Sequence, residues 1–241
     1  DAIAAATSSN AIIVLKDIEA SEVILINKTL TIKGDGHKIT SSANRIFRVT
    51  ESNINVTLED VNMVSSAVVQ YPNDIRGVSI DNETEKVKLT LTNCTVDFTD
   101  ASASDWAYAV NVTGGNEHNV TVNVGTYEGA NAINVWGNGH TININGTVLT
   151  SLYKANDSYH GCCVRLEGSG SKLDITYTTF NGEHAVAVSE ATAGANTVNA
   201  PLEEGNTAGN IDNTKVYVAK NDNVYYHSVT EAIAEAQSGA T

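Results

Sequence analysis

The sequence predicts an all-β fold in which short parallel strands stack, coil upon coil, into a β-helix. Three observations predict it. An apolar, other, apolar triplet recurs along the chain, a second alternating strand accompanies each triplet, and the repeat is too short for a crossover helix. A βαβ unit needs about 30 residues including its helix, whereas the unit here has 22 or 23 residues where nothing is inserted. The chain therefore reads as a solenoid.

The recurring triplet is the first strand of each rung, which is one turn of the coil. Its apolar residues alternate with another residue type, as expected of a strand with one buried face. The triplets lie at residues 47–49, 78–80, 110–112, 133–135, 164–166 and 186–188. Their starts are 31, 32, 23, 31 and 22 residues apart, so three intervals carry insertions of eight or nine residues.

Two further short strands complete each rung. The second strand is predicted at residues 54–58, 87–91, 120–124, 142–144 and 173–175, and the third at 94–98, 125–127 and 178–180. A sequence rich in Asn, Thr and Val, with only two prolines in 241 residues, favours such strands and tight turns. Six or seven rungs at ~4.8 Å spacing predict a rod about 30 Å long.

Both open ends of the predicted ladder need a cover against edge-to-edge pairing. Residues 2–7 predict a short amphipathic helix that plugs the first rung, followed by strands at 12–15, 23–26 and 30–32. Residues 189–214 lose the apolar period and predict an irregular connection or a poorly patterned rung. Residues 215–219 and 224–226 then predict a hairpin.

The end of the chain repeats its beginning. Ser228 and Glu231 form a capping box, and residues 231–238 resemble residues 1–8 at an offset of 230 residues. We therefore expect a β-helix domain over residues 1–214, and a hairpin with the start of a following module or a cap over residues 215–241. Neighbouring modules of the same polypeptide would then be partners. A chance match between two Ala-rich helices is the alternative.

Charge and cysteine content exclude several classes of function. The formal net charge is −14 and the pI is near 4.7, which argues against binding nucleic acid or an anionic membrane. No apolar run approaches the ~20 residues of a membrane span, so no membrane insertion is expected. Cys94, Cys162 and Cys163 indicate neither a disulfide framework nor a zinc site. The adjacent pair is either a vicinal disulfide or two reduced side chains, one facing in and one out.

The opening segments resemble a known family. Ala-Ile-Ala-Ala-Ala at residues 2–6, Ile-Ile-Val-Leu at 12–15 and Leu-Thr-Ile-Lys-Gly-Asp-Gly at 30–36 look like the entry to pectin-lyase-like right-handed parallel β-helices. Residues 224–233 resemble linkers between modules of large bacterial cell-surface, adhesin-like proteins. The resemblance implies a right-handed coil and a secreted, cell-surface location. It fixes no activity, because this fold hosts lyases, glycosidases, adhesins and tailspikes.

The catalytic motifs of that family are missing from the sequence. Its pectate lyases usually carry a Trp-Ile-Asp-His-type strand, and its hydrolases carry Asn-Thr-Asp, Asp-Asp and Gly-His-Gly motifs. The nearest match, residues 137–140, lacks acidic partners and predicts a turn between two strands. Asp81 and Glu167 share a column but lie three rungs apart, ~14 Å, whereas paired catalytic carboxylates need ~5 to 9.5 Å. We therefore assign no catalytic residue.

A candidate binding surface lies where side chains of the first strands stack into outward columns. One column runs through residues 48, 79, 111, 134, 165 and 187, and the next through 50, 81, 113, 136, 167 and 189. The three insertions fall just before this strand and project over the same side. Aromatic side chains beside amides, arginine and carboxylates suit sugar rings and their hydroxyls. The predicted carbohydrate-binding residues are Asn111, Asn134, Trp136, Arg165 and Glu167 from the columns, with Trp106, Tyr108 and Tyr159 from the insertions.

Ordinary structural roles compete with this interpretation. Trp136 would then cover neighbouring side chains, and Arg165 would pair with Glu167 or with an insertion aspartate. No cofactor is expected and no metal site is assigned. The acidic excess would allow calcium, although no D-x-D-x-D-G loop is present. The aspartates that would hold it are Asp97, Asp100 and Asp105.

Three functional hypotheses follow from these observations. The leading one is a non-catalytic β-helix module of a larger secreted bacterial surface protein, acting as a stalk or adhesive element. The alternative is a polysaccharide lyase or glycoside hydrolase acting in a groove under the insertions. The third is a binding module whose partner is a polysaccharide or a host glycan.

Overall fold

The computed structural model describes residues 2–67, 74–98, 106–152, 161–182, 184–188, 196–199, 219–221 and 224–226, together with residues 230, 233, 234 and 236. In chain order the elements are α1 (Ala2–Ala5), β1 (Ala11–Ile13), β2 (Ile18–Ala20), β3 (Ile24–Ile26), β4 (Leu30–Lys33), β5 (Lys38–Ser41), β6 (Arg45–Val49), β7 (Asn55–Glu59), β8 (Asn62–Ser65), β9 (Ile75–Ile80), β10 (Lys88–Asp97), β11 (Ala107–Asn116), β12 (Asn119–Gly129), β13 (Asn131–Asn138), β14 (Thr141–Ser151), β15 (Cys162–Glu167), β16 (Lys172–Thr176), β17 (Thr179–Asn181), β18 (His184–Val188), β19 (Thr197–Asn199), β20 (Ala219–Asn221) and β21 (Val224–Tyr226).

The strands build two parallel ladders. The first ladder runs β1-β4-β7-β10-β12-β14-β16-β19, with β2, β5, β8 and β17 paired alongside it. The second ladder runs β3-β6-β9-β11-β13-β15-β18. Each rung contributes one strand to each ladder, and each strand pairs in parallel with its equivalent one rung later. The predicted all-β parallel β-helix is confirmed, with seven strands in the described part of the second ladder.

The register of the second ladder stacks the predicted triplets. Their first residues pair in one continuous column: Phe47, Val78, Val110, Ile133, Val164 and Val186. All six side chains are buried in one hydrophobic core. The described residues on either side of the three insertions keep this register, so the column continues unbroken past intervals of unequal length.

Inward and outward residues do not alternate strictly in the second ladder, because β11 and β13 each have two consecutive inward residues at the same point. Ala109 and Val110 are neighbours in β11, yet both belong to the hydrophobic core. Ala132 and Ile133 repeat this arrangement in β13. Two consecutive inward residues require the pleat to bend at this point, because an ideal strand alternates faces. Tyr108 lies before the bend, whereas the outward column that includes Asn111 begins after it.

One corner of the coil uses left-handed backbone. The residues at this corner have positive φ angles in five successive rungs: Asp60 (54°), Asn93 (51°), Val124 (54°), Gly146 (67°) and Tyr177 (51°). Gly, Asn and Asp adopt this conformation most readily, whereas a β-branched side chain is strained there. Val124 is therefore the residue that fits its corner least well.

A second corner, just before the strands of the first ladder, is held by a vertical series of hydrogen bonds, here called the corner ladder. The Val87 N–H donates to Nδ1 of His118 at 3.1 Å, and the His118 N–H donates to Nδ1 of His140 at 3.1 Å. The His140 N–H donates to Ser171 Oγ at 3.0 Å, and the Ser171 N–H donates to Asn196 Oδ1 at 2.9 Å. Each side chain thus satisfies the backbone of the rung before it.

The two histidines of the corner ladder are buried and stacked. Neither His118 nor His140 is exposed, and their rings lie 5.0 Å apart with an interplanar angle of 8°. Because each Nδ1 accepts a hydrogen bond, the proton of the neutral ring is on Nε2, which has no partner among the described residues. The pKa of each ring is lowered to about 4, by burial first and, for His118, also by the neighbouring His140. The predicted turn at residues 137–140 is confirmed, because Gly139 turns the chain between β13 and β14.

The N-terminal helix is shorter than predicted. The sequence predicts a helix over residues 2–7, whereas α1 spans Ala2–Ala5 and contains no buried residue. Its Ile3 nevertheless packs against the core. Lys28 Nζ donates to the Ala4 carbonyl at 2.9 Å and so fastens the helix beside the first rung.

The C-terminal hairpin is confirmed for the residues that the structure describes. β20 pairs with β21 in antiparallel register, with Ala219 opposite Tyr226, and this two-stranded sheet joins neither ladder. Thr230, Ile233 and Ala234 are helical, in agreement with the predicted helix. The predicted boundary after residue 214 lies outside the described residues.

The cysteines are free thiols. Cys163 belongs to the core, and burial raises the pKa of its thiol well above the usual range. Cys162 lies on the other side of the strand, where its Sγ is 3.4 Å from Asn131 Oδ1. Of the two interpretations left open by the sequence, the structure matches two reduced side chains, although both are fully buried and neither faces solvent.

Candidate functional site

The predicted outward column exists as a row of paired residues on the second ladder, here called the outer row. Its register reads Arg48, Ser79, Asn111, Asn134, Arg165 and Ala187. The neighbouring column pairs Thr113 with Trp136 and Trp136 with Glu167. Consecutive residues of a column are ~4.8 Å apart, so the structure brings Asn134, Trp136, Arg165 and Glu167 together on two successive rungs.

The middle of the outer row is buried rather than exposed. Ser79, Asn111 and Asn134 are 2%, 0% and 6% exposed. Asn134 Nδ2 donates to Asn111 Oδ1 at 2.7 Å, and Asn111 Nδ2 bonds to the hydroxyl of Thr113. These amides satisfy one another, as buried polar groups must. Asn111 and Asn134, predicted to contact sugar, therefore hold the surface in place from below.

Tyr108 is also buried. The sequence placed it in an insertion loop, but it is the second residue of β11 and is only 3% exposed. Burial raises the pKa of its phenol to about 12, while the nearby guanidinium groups of Arg165 and Arg76 act in the opposite direction. Tyr108 thus lies close to both arginines. Its side chain packs beneath the candidate surface and does not face solvent.

Arg165 and Glu167 form an ion pair along one strand. Arg165 Nη2 lies 2.5 Å from Glu167 Oε1, and their side chains are 14% and 21% exposed. The sequence left open whether Arg165 pairs with Glu167 or with an insertion aspartate, and the structure shows the pairing with Glu167. Charged groups that are largely buried but keep some contact with solvent can bind hydroxyls without losing their internal partner.

Trp136 is the most exposed of the predicted residues that the structure describes. Its side chain is 52% exposed, and the residues beside it in its own column are Thr113 and Glu167. An indole of this size usually covers other apolar groups, so half of it in contact with solvent is unusual. We call Trp136, Arg165 and Glu167 the Trp136 platform. Trp106, which directly precedes β11 one rung earlier, is 38% exposed.

A charged cluster lies near the N-terminal rungs of the outer row, and the sequence analysis did not predict it. Asp74 accepts from Arg76 and lies 3.4 Å from Arg45, and Arg76 Nη1 donates to the Thr113 hydroxyl at 3.1 Å. Burial lowers the pKa of Arg45, and the adjacent Arg76 lowers it further. Arg45, Arg76 and Tyr108 pair in a column of their own. Extending the alignment of the rungs to the residues before each triplet would have found this column. A search for strict alternation misses it, because the bend in each strand interrupts the period of two.

The remaining predicted residues yield less. Tyr159 lies outside the described residues, as do Asp100 and Asp105 of the calcium prediction. The part of the chain that the structure describes contains no group of three or more His, Cys, Asp or Glu side chains placed to hold a metal ion. Calcium binding stays a prediction.

An open groove of about 360 Å³ lies on the first ladder, away from the Trp136 platform. Its lining combines short polar side chains with charges and contains no aromatic ring. The polar residues that line it are Lys38, Asn62, Thr95, Asp97, Thr126 and Glu128. Without a ring face to stack on a sugar, the groove suits carbohydrate less well than the Trp136 platform does.

Comparison with known proteins leaves the family open. No protein-family model, no curated protein and no solved structure matched the chain. In the described residues, no helix has the length and apolar character that crossing a membrane requires. The function must therefore be argued from the site itself.

Proposed function

We propose that this chain is a non-catalytic β-helix module of a larger secreted bacterial surface protein, and that it binds glycan through the Trp136 platform. The observation that carries the proposal is the half-exposed indole of Trp136, 52% exposed beside a charged pair. Its location within the bacterial surface, and its kinship with pectin-lyase-like proteins, rest on the segments at residues 2–6, 12–15, 30–36 and 224–233. The two parallel ladders are compatible with that kinship.

The chemistry of the platform suits a sugar ring. The indole of Trp136 offers a flat apolar face on which the C–H face of a pyranose packs. Arg165 and Glu167, one rung away, supply a donor and an acceptor for hydroxyl groups at the edge of that ring. The buried amides of Asn111 and Asn134 fix the backbone beneath. A rigid, pre-arranged surface lowers the entropic cost of binding.

The carboxylates of the same face do not support hydrolysis. Asp81 and Glu167 stand three rungs apart, ~14 Å, which exceeds the ~5 to 9.5 Å of paired glycosidase carboxylates. Each is also paired with an arginine: Asp81 with Arg48 of the preceding rung at 2.5 Å, and Glu167 with Arg165 of its own strand at 2.5 Å. The lyase or hydrolase alternative is therefore kept as an outcome of the test.

The test is a binding and turnover assay on plant, algal and mucin polysaccharides. We expect at least one glycan to bind, and Trp136→Ala to weaken that binding roughly fivefold to tenfold, equivalent to about 1 to 1.4 kcal/mol of lost stacking. Tyr177→Ala is the matched control, because Tyr177 is 71% exposed but lies at a corner of the first ladder. Equal affinities for all three proteins would refute the Trp136 platform. Release of new sugar ends would establish the enzymatic alternative.

A further inference from the structure

All four arginines of the chain lie in strands of the second ladder. They are Arg45 and Arg48 in β6, Arg76 in β9 and Arg165 in β15. The other ten of the 14 Lys and Arg residues are lysines, and none of them belongs to a described strand of this ladder. An arginine presents a rigid fork of N–H donors that matches the oxygens of a carboxylate or phosphate group, whereas a lysine is a point charge. This distribution indicates a role for the fork and not for positive charge alone.

Three of these arginines gather on two successive rungs together with two aspartates. Arg45 and Arg76 are paired in the register of β6 and β9, and Asp74 forms an ion pair with each of them, at 3.4 Å from Arg45. Arg48 Nη2 lies 2.5 Å from Asp81 Oδ2. We call these five residues the arginine cluster. Its ion pairs hold the two rungs together on the outer face of the ladder.

The arginine cluster has more positive than negative groups. Three guanidinium groups are matched by two carboxylates, and none of the three arginines forms another ion pair within the described residues. The side chains of Arg45, Asp74 and Arg76 are 20%, 20% and 15% exposed, so water screens the excess charge only in part. A largely buried charge is normally paired. The chain has 28 acidic residues, yet no third carboxylate of the described residues joins this cluster.

The guanidinium groups also retain donors that no described residue satisfies. Each guanidinium carries five N–H groups. The one described side-chain partner of the Arg45 guanidinium is Asp74, at 3.4 Å, and the buried Nε of Arg76 has none. Burial lowers the pKa of Arg45, and the neighbouring charges of Arg76 and Arg48 lower it further. The charged form of Arg45 would therefore be stabilised by an acceptor that carries negative charge.

We propose that the arginine cluster binds an oxyanion (a carboxylate, sulfate or phosphate group) through the remaining donors of Arg45, with Arg48 and Arg76 alongside. Hydrogen bonds from a guanidinium to such charged oxygens are shorter and stronger than those between neutral groups. The oxyanion supplies both the negative charge and the acceptor oxygens that the described cluster lacks.

The arginine cluster adjoins the Trp136 platform. Arg76 Nη1 donates to the Thr113 hydroxyl at 3.1 Å, and Thr113 pairs with Trp136 one rung later. The oxyanion is thus either a free ion or an acidic group carried by a sugar on the platform, and the arginines bind it with the same chemistry in both cases. The site rests on the ion pairs and not on glycan binding, so a failure of the Trp136 platform leaves it standing.

The test is calorimetric titration of the full chain with sodium phosphate, sulfate and acetate, each at a constant ionic strength set with sodium chloride. We expect at least one oxyanion to bind at a single site with a dissociation constant of about 1 mM or lower. Arg45→Gln should weaken that binding by about tenfold or more, because it removes both the excess charge and the fork. Lys33→Gln is the matched control. It removes the same charge from the first ladder, where Lys33 pairs with Glu59, and it should leave the affinity unchanged.

Urea unfolding gives a second measurement, which also reports whether the variants fold. A saturating concentration of the oxyanion that binds should raise the unfolding midpoint of the wild type above its value in chloride of the same ionic strength. The rise should be absent in Arg45→Gln. Arg48→Gln takes its place if that variant does not fold, because the Arg48 side chain is 43% exposed and its removal disturbs the packing less.

Four results would overturn the proposal. They are no binding of any of the three oxyanions, undiminished binding by the arginine variants, an equal loss of affinity in Lys33→Gln, and an equal rise of the unfolding midpoint in the wild type and in Arg45→Gln. The last result would show a general salt effect, because sulfate and phosphate strengthen a fold without binding to a particular site.

A further comparison identifies the source of the oxyanion. D-Glucuronate and acetate present the same carboxylate, but only D-glucuronate carries a sugar ring. Tighter binding of D-glucuronate that is lost in Trp136→Ala would support the site with its anion carried by a sugar. Equal affinities for the two would support the site as one for a free anion.

Discussion

The buried histidines of the corner ladder make stability depend on pH in a window that the structure defines. His118 and His140 have pKa values near 4 in the folded chain, against 6.5 when unperturbed. Their folded pKa values are depressed, so the neutral rings are the stable form in the native state. The stabilisation is fully present above pH 6.5, is lost as the pH falls toward 4, and changes no further below that.

The size of the effect follows from the same values. One pKa unit corresponds to about 1.4 kcal/mol, so a fall from 6.5 to about 4 gives about 3 kcal/mol for each ring. The repulsion between the two rings, stacked 5.0 Å apart, is one of the causes that lower the pKa of His118, so it is already counted. Because each ring is only partly titrated at both ends of the range from pH 6.5 to 4, the combined loss across that range is roughly 5 kcal/mol. This is a large share of the stability of an ordinary domain, about 5–15 kcal/mol.

The chain itself suggests the variant that tests this. Ser171 and Asn196 occupy the same positions in later rungs and accept the backbone N–H with an oxygen that does not titrate in this range. In the double variant His118→Asn and His140→Asn, the hydrogen bonds are kept and the titration is removed. The assay is urea unfolding at a series of pH values from 7.5 to 4, with the free energy of unfolding obtained by linear extrapolation.

We expect the free energy of unfolding of the wild type to fall by roughly 5 kcal/mol more than that of the double variant between pH 6.5 and 4. Carboxylates titrate in both proteins and cancel in the comparison. His37→Asn is the control, because His37 is partly exposed and lies 3.5 Å from Asp17 at the surface. Equal losses in the wild type and the double variant would refute the reasoning.

Three further predictions concern substitutions at four positions. Val124→Asn should stabilise the fold by about 1 kcal/mol, because it relieves the strain of a β-branched residue in left-handed backbone, and Gly146→Val should destabilise it by a similar amount. Urea unfolding measures both changes. An unchanged free energy of unfolding in both variants would show that this corner tolerates β-branched residues. Gly168→Ala should cost roughly 2–4 kcal/mol, because its φ is +96° and a Cβ there overlaps the Gly137 carbonyl oxygen; a thermal shift under 1 °C would contradict this. Asp74→Asn should cost about 3 kcal/mol by leaving two half-buried guanidinium groups without their carboxylate, and an unchanged unfolding midpoint would disprove that role.

The rung register of the second ladder was readable from the sequence. The triplets beginning at Phe47 and Val78 are 31 residues apart and those at Val110 and Ile133 only 23, yet both pairs align in the structure. The register could be predicted because a shift by one residue would move the apolar side chains from the core to the outer face. Each inward apolar residue therefore aligns with its equivalent in the next rung. The helix at the start and the hairpin near the end were also predicted, although the helix ends two residues early.

The candidate site was predicted only in part. Trp136, Arg165 and Glu167 are adjacent as the alignment of the rungs predicts. The burial of Asn111 and Asn134 was not predicted. The alternation of apolar and polar residues along a strand assigns every outward polar residue to the solvent-exposed face. Whether Trp106 shares a ligand with the Trp136 platform stays a prediction.

The sequence by itself determined the fold class, the length of the repeat and the column in which each first-strand residue lies. These follow from local alternation and spacing, which one rung encodes within itself. Only the tertiary structure decided which outward residues face solvent and which arginine pairs with which carboxylate. It also decided that the rings of His118 and His140 are buried and stacked at a corner of the coil. Arg165 and Glu167 are only two positions apart, but the sequence left an insertion aspartate as an equal partner for Arg165. The stacked histidines, the buried amides and the pairing of Arg48 with Asp81 depend on contacts between residues 22 to 33 positions apart, which no local pattern records.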